Sequence, residues 1–285
     1  MKRFIYSGCS FTNYAFPTWA DIIAYDKIKR GEIDTAHNLA MGGACNHYIF
    51  SSLLMAKSKL DINHEDLVGI GWSTIWRHSL IDPDKAQWQT LGSLFHNLSW
   101  NKLDNHLDIV NNDLYLLQRT VAAYESAHAL FDIDFEIKLP YFEAGEDAIT
   151  ELFNSLPYTA DVTLINYLKE NIHKFLTIPN FEIVTNKNVD MNNTAFFGHP
   201  TLQEHLTMAQ SQTELLDSTL KEVSELHNDM MEVVNQPNKD LETVQQELND
   251  NFYCKRYQEY GDSNAWSLIF SYEDARYDHD YFLNC

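Results

Sequence analysis

The fold is decided by the stretch Leu67-Val68-Gly69-Ile70-Gly71-Trp72, which is apolar on both alternating sets of positions. Such a strand is expected at the centre of a parallel sheet, because helices cover that kind of sheet on both faces. Residues 4–7, which end at Gly8, and residues 37–41, which end at Gly42-Gly43, have the character of two further strands. We therefore predict three strands within the first 72 residues.

Segments with helical spacing alternate with these strands. Their apolar residues recur every three or four positions, as in helices that cover one face of a sheet. The alternation is typical of an α/β fold with a parallel sheet and crossover helices. We predict helices at residues 17–29, 46–59, 113–131, 146–156 and 161–176, and further strands at 135–140 and 181–184. Residues 80–112 have weak periodicity and predict an insertion with short helices.

The end of the chain has a different character. Apolar residues recur at helical spacing from Ala209 to Val234, which predicts one long amphipathic helix that Pro237 terminates. A second stripe, from Leu241 to Phe252, predicts another helix with Asn238 as its N-cap. This helical hairpin either packs on the α/β core or forms a lid over the site or an interface between copies of the chain.

These changes in character divide the chain into two parts. We assign residues 1–210 to an α/β domain that contains the insertion at 80–112. Residues 211–285 form an extension with the helical hairpin and a Tyr-rich tail. A homo-oligomer would use residues 211–252 of this extension.

The composition restricts the classes of partner. The chain has 285 residues, with 20 Lys and Arg against 41 Asp and Glu, and a formal net charge of −21. A surface this acidic repels the phosphate backbone of nucleic acids, and no basic patch offsets it. No window approaches the ~20 apolar residues of a transmembrane helix, and the apolar run after Lys2-Arg3 is too short for a signal peptide. We therefore expect a cytoplasmic protein that binds neither nucleic acid nor membrane.

The segment Tyr6-Ser7-Gly8-Cys9-Ser10-Phe11-Thr12 carries the sharpest chemical signal. Ser10 follows a strand and precedes a predicted helix, which exposes its hydroxyl at the carboxyl edge of the sheet, where open α/β folds bind ligands. A serine at this point serves either as a nucleophile or as a helix cap. Cys9 is an alternative nucleophile, or else a small residue that faces the sheet.

Two further segments suit the same chemistry. Asn38 to Asn46 places a glycine pair at a strand end, so the N–H of Gly43 is a candidate oxyanion donor beside the N–H of Ser10. A tight turn with positive φ is the alternative explanation of this pair. In Gly198-His199-Pro200, the proline keeps His199 extended, and its ring is a candidate general base, although many His-Pro pairs only form loops.

Taken together and in this order, the three segments resemble the SGNH/GDSL hydrolase family, esterases and lipases with a three-layer α/β/α, flavodoxin-like fold. The resemblance covers about residues 1–210. It implies that Ser10 is the nucleophile, that His199 is the base and that Gly43 supplies an oxyanion donor. The block from Gly8 to Thr12 resembles the family's first block with Cys in the place of Asp, and His205 matches a second His often found after the catalytic one.

The sequence departs from the family pattern at two points. Where the family has an oxyanion-hole Asn, the nearest substitute is Ser73, whose hydroxyl is a candidate donor. Where an Asp usually stands two or three residues before the catalytic His, this chain has Phe196 and Phe197. The nearest upstream acid is Asp190. Loss of the orienting acid costs about 10⁴-fold in kcat in a Ser-His-Asp enzyme.

Three residues after the third strand are candidates for contact with substrate. Trp72 and Trp76 either line the site or pack beneath it. Arg77 holds either an anionic group of the substrate or a structural ion pair. The twelve histidines include no His-Glu-x-x-His motif and no Cys/His cluster at zinc spacing, so we expect no metal and no other cofactor.

The sequence therefore predicts a serine ester hydrolase of the esterase or deacetylase type. Its substrate would be a small acyl ester, with carbohydrate esters as one class. The alternative is a scaffold of the same fold that has lost catalysis and acts as a binding or assembly module through residues 211–285. The missing Asp and Asn and the additional C-terminal residues favour that alternative.

Overall fold

A computed structural model describes the fold over residues 2–14, 16–75, 77–82, 87–93, 113–138, 150–151, 153–154, 162–177, 199–237, 239–252 and 276–277. The strands in these ranges are β1 (Arg3–Ser7), β2 (Thr35–Asn38), β3 (Leu67–Trp72), β4 (Arg77–Asp82), β5 (Gln87–Ser93), β6 (Phe135–Lys138) and β7 (Arg276–Tyr277). The helices are α1 (Trp19–Lys29), α2 (Asn46–Leu60), α3 (Asp113–Leu130), α4 (Val162–Thr177), α5 (Leu202–Gln212), α6 (Asp217–Val234) and α7 (Leu241–Asn251).

The main sheet has the strand order β6-β3-β1-β2-β7. The first four strands of this order are parallel, and β7 pairs with β2 in the antiparallel direction. The predicted α/β fold with a parallel sheet is therefore confirmed. Because β2 and β3 lie on opposite sides of β1, the chain changes direction between β1 and β3. In open α/β sheets, ligands bind at the carboxyl ends of the strands beside this topological switch point.

Helices pack on both faces of the sheet and bury two separate cores. Alternate residues of β1 face opposite sides, so Ile5 belongs to one core and Phe4 and Tyr6 to the other. The first core contains side chains of α2, α3 and α4, and the second contains side chains of α1, α5, α6 and α7. This arrangement is compatible with the predicted three-layer α/β/α architecture.

The described part of the predicted insertion, residues 80–82 and 87–93, forms strands and not the predicted short helices. Strands β4 and β5 pair in the antiparallel direction as a separate two-stranded sheet, with a register shift between His78 and Ser79. Asp82-Pro83-Asp84 is a strong turn sequence between two segments with Leu, Ile, Trp and Thr, a hairpin signal that outweighs the weak periodicity. Residues 94–112 lie outside the described ranges, as do the predicted strand at 181–184 and the tail apart from 276–277.

The prediction of one continuous helix from Ala209 to Val234 is wrong, because α5 ends at Gln212 and α6 begins at Asp217. The side chains of Asp26 in α1 and of Arg30, the C-cap residue of α1, stabilise this break between the two helices. The fully buried Asp26 carboxylate accepts the N–H of Leu216 at 2.8 Å and pairs with Arg30 Nε at 2.6 Å. Arg30 Nη2 also donates to the carbonyl of Glu214 at 2.9 Å. These contacts satisfy backbone groups that a continuous helix would pair internally.

The apolar stripes of α6 and α7 are buried within the chain. Val223 and Met230 of α6 and Val244 and Leu248 of α7 belong to the core that includes α1. The N-cap of α7 is Asp240, whose side chain accepts the N–H of Thr243 at 2.8 Å. The predicted cap, Asn238, lies outside the described ranges. The use of residues 211–252 as an interface between copies stays a prediction.

We expect the substitution Asp26→Ala to lower the free energy of unfolding by about 2–4 kcal/mol, because it leaves the Leu216 N–H and the Arg30 guanidinium without their buried acceptor. Urea titrations followed by circular dichroism measure this difference. Asp229→Ala, at an exposed position of α6, is the matched control and should stay within about 0.5 kcal/mol of the parent. An equal effect of the two substitutions would contradict the role given to Asp26.

Candidate active site

Ser10 lies in the loop between β1 and α1, three residues beyond the end of β1. The carbonyl of Cys9 accepts the N–H groups of Thr12 at 2.9 Å and Asn13 at 3.1 Å, so the residues around Ser10 form a single helical turn. Helix α1 begins at Trp19, close to the predicted start at residue 17, so its N-terminus lies nine residues beyond Ser10. The cap of α1 is Thr18, so Ser10 is not the cap of that helix.

The side chain of Thr12 fixes this turn against two strands. A Cβ atom at Gly8 would lie 2.1 Å from Thr12 Oγ1, and one at Gly71 would lie 2.3 Å from the same oxygen. The indole Nε1 of Trp19 donates to this hydroxyl at 3.3 Å. The two glycines therefore leave room for Thr12 rather than for a ligand, and the position of the turn depends on their lack of side chains.

A buried polar network of β1, β2 and the start of α1 also holds this turn in place. The carbonyl of Thr12 accepts the amide of Asn38 at 2.9 Å and the hydroxyl of Thr18 at 3.0 Å. The buried Asp21 carboxyl lies 2.6 Å from Tyr6 Oη and 2.7 Å from Thr18 Oγ1. Burial raises the pKa of Asp21.

The loops after β1 and β2 stay paired beyond the ends of their strands. Met41 N–H donates to the carbonyl of Gly8 at 3.1 Å, so Gly43 and Ser10 each lie two residues past this bonded pair. Gly43 has a φ of +70° and is half-exposed, as the tight-turn explanation requires. Within the described part of the chain, neither the N–H of Gly43 nor that of Ser10 donates a hydrogen bond. Both donors are thus open to a ligand as far as the described residues are concerned.

Ser73 lies directly beyond β3, on the other side of β1. The side chain of Asn46 holds its backbone, because Oδ1 accepts the N–H of Ser73 at 2.7 Å and Nδ2 donates to its carbonyl at 3.0 Å. The Ser73 hydroxyl is fully buried and has no hydrogen-bond partner among the described residues. Sequence reasoning missed Asn46, since no local pattern links it to a residue 27 positions away.

His199 lies against the loop that carries Ser10. Its ring stacks on Tyr14, with 4.1 Å between centroids and 20° between planes, and lies 5.5 Å from the ring of Phe11. The helix that follows is fixed by a capping box, in which Thr201 N–H donates to Glu204 Oε2 at 2.6 Å. The structure therefore brings the loops of Ser10 and His199 together, although no hydrogen bond joins these two described residues. Asp190, Phe196 and Phe197 lie outside the described ranges.

His205 is a buried structural group beside this loop. Its Nδ1 accepts the N–H of Trp19 at 3.4 Å, at the start of α1. Burial, and secondarily the charge of His199, lower the pKa of His205 to about 3. The ring is therefore neutral at pH 7, with its proton on Nε2, and serves as an acceptor for the first turn of α1.

The predicted substrate contacts have different positions. Trp72 is fully buried, donates from Nε1 to Glu136 at 2.6 Å and packs against Phe175, so it lies beneath the site and does not line it. Trp76 lies outside the described ranges. Arg77 begins β4 and pairs with no carboxylate in the part of the chain that the structure describes, and its Nη1 is buried without a partner there. Cys9 is fully buried in the core that contains Ile5, which fits a small residue packed under the turn.

Comparisons with protein-family models, with curated proteins and with solved structures find no match to this chain. Among the described residues, no group of three or more His, Cys, Asp or Glu side chains could hold a metal ion. Over those same ranges, the helices are too short or too polar to cross a membrane.

We expect Gly71→Ala to lower the free energy of unfolding by about 1–3 kcal/mol, because the added Cβ overlaps Thr12 Oγ1. In a Thr12→Ala background this overlap disappears, since the next contacts are at 3.4 and 3.6 Å, and most of the loss should be recovered. Gly8→Ala is the matched comparison. Its Cβ would still lie 2.5 Å from the Cβ of residue 12 in the Thr12→Ala background, so its loss of stability should not be recovered there. Urea double-mutant cycles measure the couplings, and additive effects for Gly71 and Thr12 would rule out this packing.

The neutral state of His205 predicts an acid-dependent loss of stability. Its folded pKa is about 3, below the ordinary value of 6.5, so the unfolded chain binds more protons between these limits. Stability should fall as pH drops below 6.5, by about 1 kcal/mol for each pH unit from this group. Urea titrations at pH 7, 6, 5 and 4.5 should give a shallower decline for His205→Gln than for the parent, and an unchanged decline for the exposed control His64→Gln. Parallel declines in all three proteins would contradict this assignment.

Proposed function

We propose that the chain is a serine ester hydrolase of the SGNH-like type, in which residues 1–210 form the three-layer α/β/α domain and the C-terminal helical hairpin is an addition to it. Ser10 is the nucleophile, and His199 is the general base. The substrate is a small acyl ester. The reaction on these residues uses neither a metal nor an organic cofactor.

In this mechanism, Ser10 Oγ attacks the acyl carbonyl carbon while His199 takes the hydroxyl proton. The N–H groups of Ser10 and Gly43 donate hydrogen bonds to the oxyanion that develops. His199 then gives the proton to the leaving alkoxide, and a water molecule, activated by the same ring, cleaves the acyl-serine ester. The products are an alcohol and a carboxylic acid.

The observation that carries the proposal is the contact between the His199 ring and Tyr14, at 4.1 Å between centroids. Two loops that are 189 positions apart in the sequence meet at the switch point of the parallel sheet, and each brings one of the two groups that acyl transfer requires. The N–H groups of Ser10 and Gly43, which have no acceptor among the described residues, add the donor pair that an oxyanion needs. A general base and its nucleophile often approach closely only in the substrate complex.

The proposal is tested with a fluorophosphonate probe that labels activated serines, followed by peptide mass spectrometry. We expect an adduct on Ser10 in the parent chain, no adduct in Ser10→Ala and a labelling rate at least about 100-fold lower in His199→Ala, because a general base contributes about that much or more. Hydrolysis of 4-nitrophenyl acetate should decline in parallel.

Matched controls use exposed residues of the same type. Ser218→Ala on α6 and His64→Ala after α2 should label and hydrolyse at the parental rate. Circular dichroism establishes that each variant is folded. Folded parent protein without any adduct would exclude an activated Ser10 and favour the non-catalytic scaffold.

A further inference from the structure

A cluster of basic side chains lies beside the candidate site and has no role in the mechanism above. Arg119 of α3 donates from Nη1 to His78 Nδ1 of β4 at 2.9 Å. Burial, and secondarily the nearby charge of Arg119, lowers the pKa of His47, which is in the first turn of α2. The ring of His47 packs against Trp88 of β5, with 5.6 Å between centroids.

Arg119 differs from Arg3 and Arg30 in its partners. Arg3 and Arg30 each pair with a buried aspartate, Asp66 at 2.8 Å and Asp26 at 2.6 Å. Arg119 instead contacts His78 and the ring of Tyr115, and no carboxylate of the described residues pairs with it. In a chain of net charge −21, a guanidinium with no carboxylate partner among the described residues has donors left for an external anion.

His78 holds the guanidinium in place and does not add a charge of its own. Its Nδ1 accepts a hydrogen bond from Arg119, so the proton of the neutral ring is on Nε2. Burial, together with the charges of Arg119 and His47, lowers the pKa of His78 to about 4. Only one of the five N–H donors of Arg119 is used in this contact, and the remaining fork suits the two oxygens of a carboxylate or phosphate.

The cluster is linked to two of the three predicted oxyanion donors, Ser73 and Gly43. Asn46 binds the backbone of Ser73 and also donates to Thr120 Oγ1 at 3.2 Å. Thr120 is the residue that follows Arg119 in α3. His47 is four residues from Gly43, a separation of at most about 14 Å along the chain. The first turn of α2 contains no acidic residue, and its N-cap Cys45 provides no side-chain cap, so the positive end of the helix adds to the same field.

We propose that Arg119, oriented by His78 and accompanied by His47, forms an anion-binding subsite beside the ester-cleaving centre, and that the substrate is an ester with a carboxylate or phosphate group. The anionic group binds Arg119 through paired hydrogen bonds while the ester carbonyl lies at Ser10. The substrate class rests on the proposed function. The anion subsite itself does not, because binding requires no hydrolysis.

Binding is tested first in the full-length Ser10→Ala protein, which holds an ester without cleaving it. Monomethyl succinate and methyl phosphate are the anionic probes, and dimethyl succinate is the neutral one. Histidine-ring NMR titrations should show that the anions raise the pKa of His47 and His78, because a nearby negative charge favours the protonated rings. The neutral diester should leave both values unchanged. Equal responses to the diester, or no response to either anion, would overturn the subsite.

Substitution of the arginine then locates the site. Arg119→Gln in the Ser10→Ala protein should weaken monomethyl succinate binding at least about 10-fold, as expected for hydrogen bonds to a charged group. Lys221→Gln, at an exposed position of α6, is the control and should bind like its parent. Unchanged binding by Arg119→Gln would overturn the subsite, and if that variant does not fold, the histidine titrations decide alone.

Measurements of ester turnover distinguish the anion subsite from the esterase activity. With active protein, Arg119→Gln should lower kcat/KM for 4-nitrophenyl hemisuccinate at least about 10-fold relative to 4-nitrophenyl butyrate. If both esters are cleaved and this ratio does not change, the subsite is wrong while the esterase stands. If the anions bind through Arg119 but neither ester is cleaved, the subsite stands and the esterase is wrong.

Discussion

The candidate site depends on the placement of one side chain, Thr12, in the space left open by Gly8 and Gly71. These glycines belong to neighbouring segments of the central sheet, and a Cβ atom at either would lie within 2.3 Å of Thr12 Oγ1. Close packing of this kind transmits a small displacement directly to its neighbours. The two residues before Thr12 in the chain are Phe11 and Ser10, so the constraint on Thr12 also sets where the hydroxyl of Ser10 lies.

The polar groups beneath this turn extend the constraint to other elements. Asp21 of α1 contacts Tyr6 of β1 and Thr18, while Asn38 at the end of β2 donates to the carbonyl of Thr12. All of these groups are buried, so each depends on the others for hydrogen bonds that water cannot supply. The loop is therefore held by a network that joins three elements, which is the rigid support that a preorganised site requires.

Features that follow from the local pattern of apolar residues could be predicted from the sequence. The β3 run was predicted with its observed limits, and the parallel sheet followed from the alternation of strands and helices. The break between α5 and α6 was missed, because it depends on Asp26, a residue about 190 positions away. The Asn46 contact with Ser73 and the pairing of Arg119 with His78 were missed for the same reason. Local patterns record the periodicity of an element, whereas these contacts arise only when distant elements pack.

The histidines around the site have different roles because they differ in burial. His205 and His78 are buried, and each uses Nδ1 as an acceptor, one for the start of α1 and the other for Arg119. Burial keeps both rings neutral at pH 7, which an acceptor requires. His199 instead is half-exposed and stacks on Tyr14 at the edge of the sheet. A ring that exchanges a proton with a substrate needs this access to the ligand, so exposure as well as chain position favours His199 over His205 as the base.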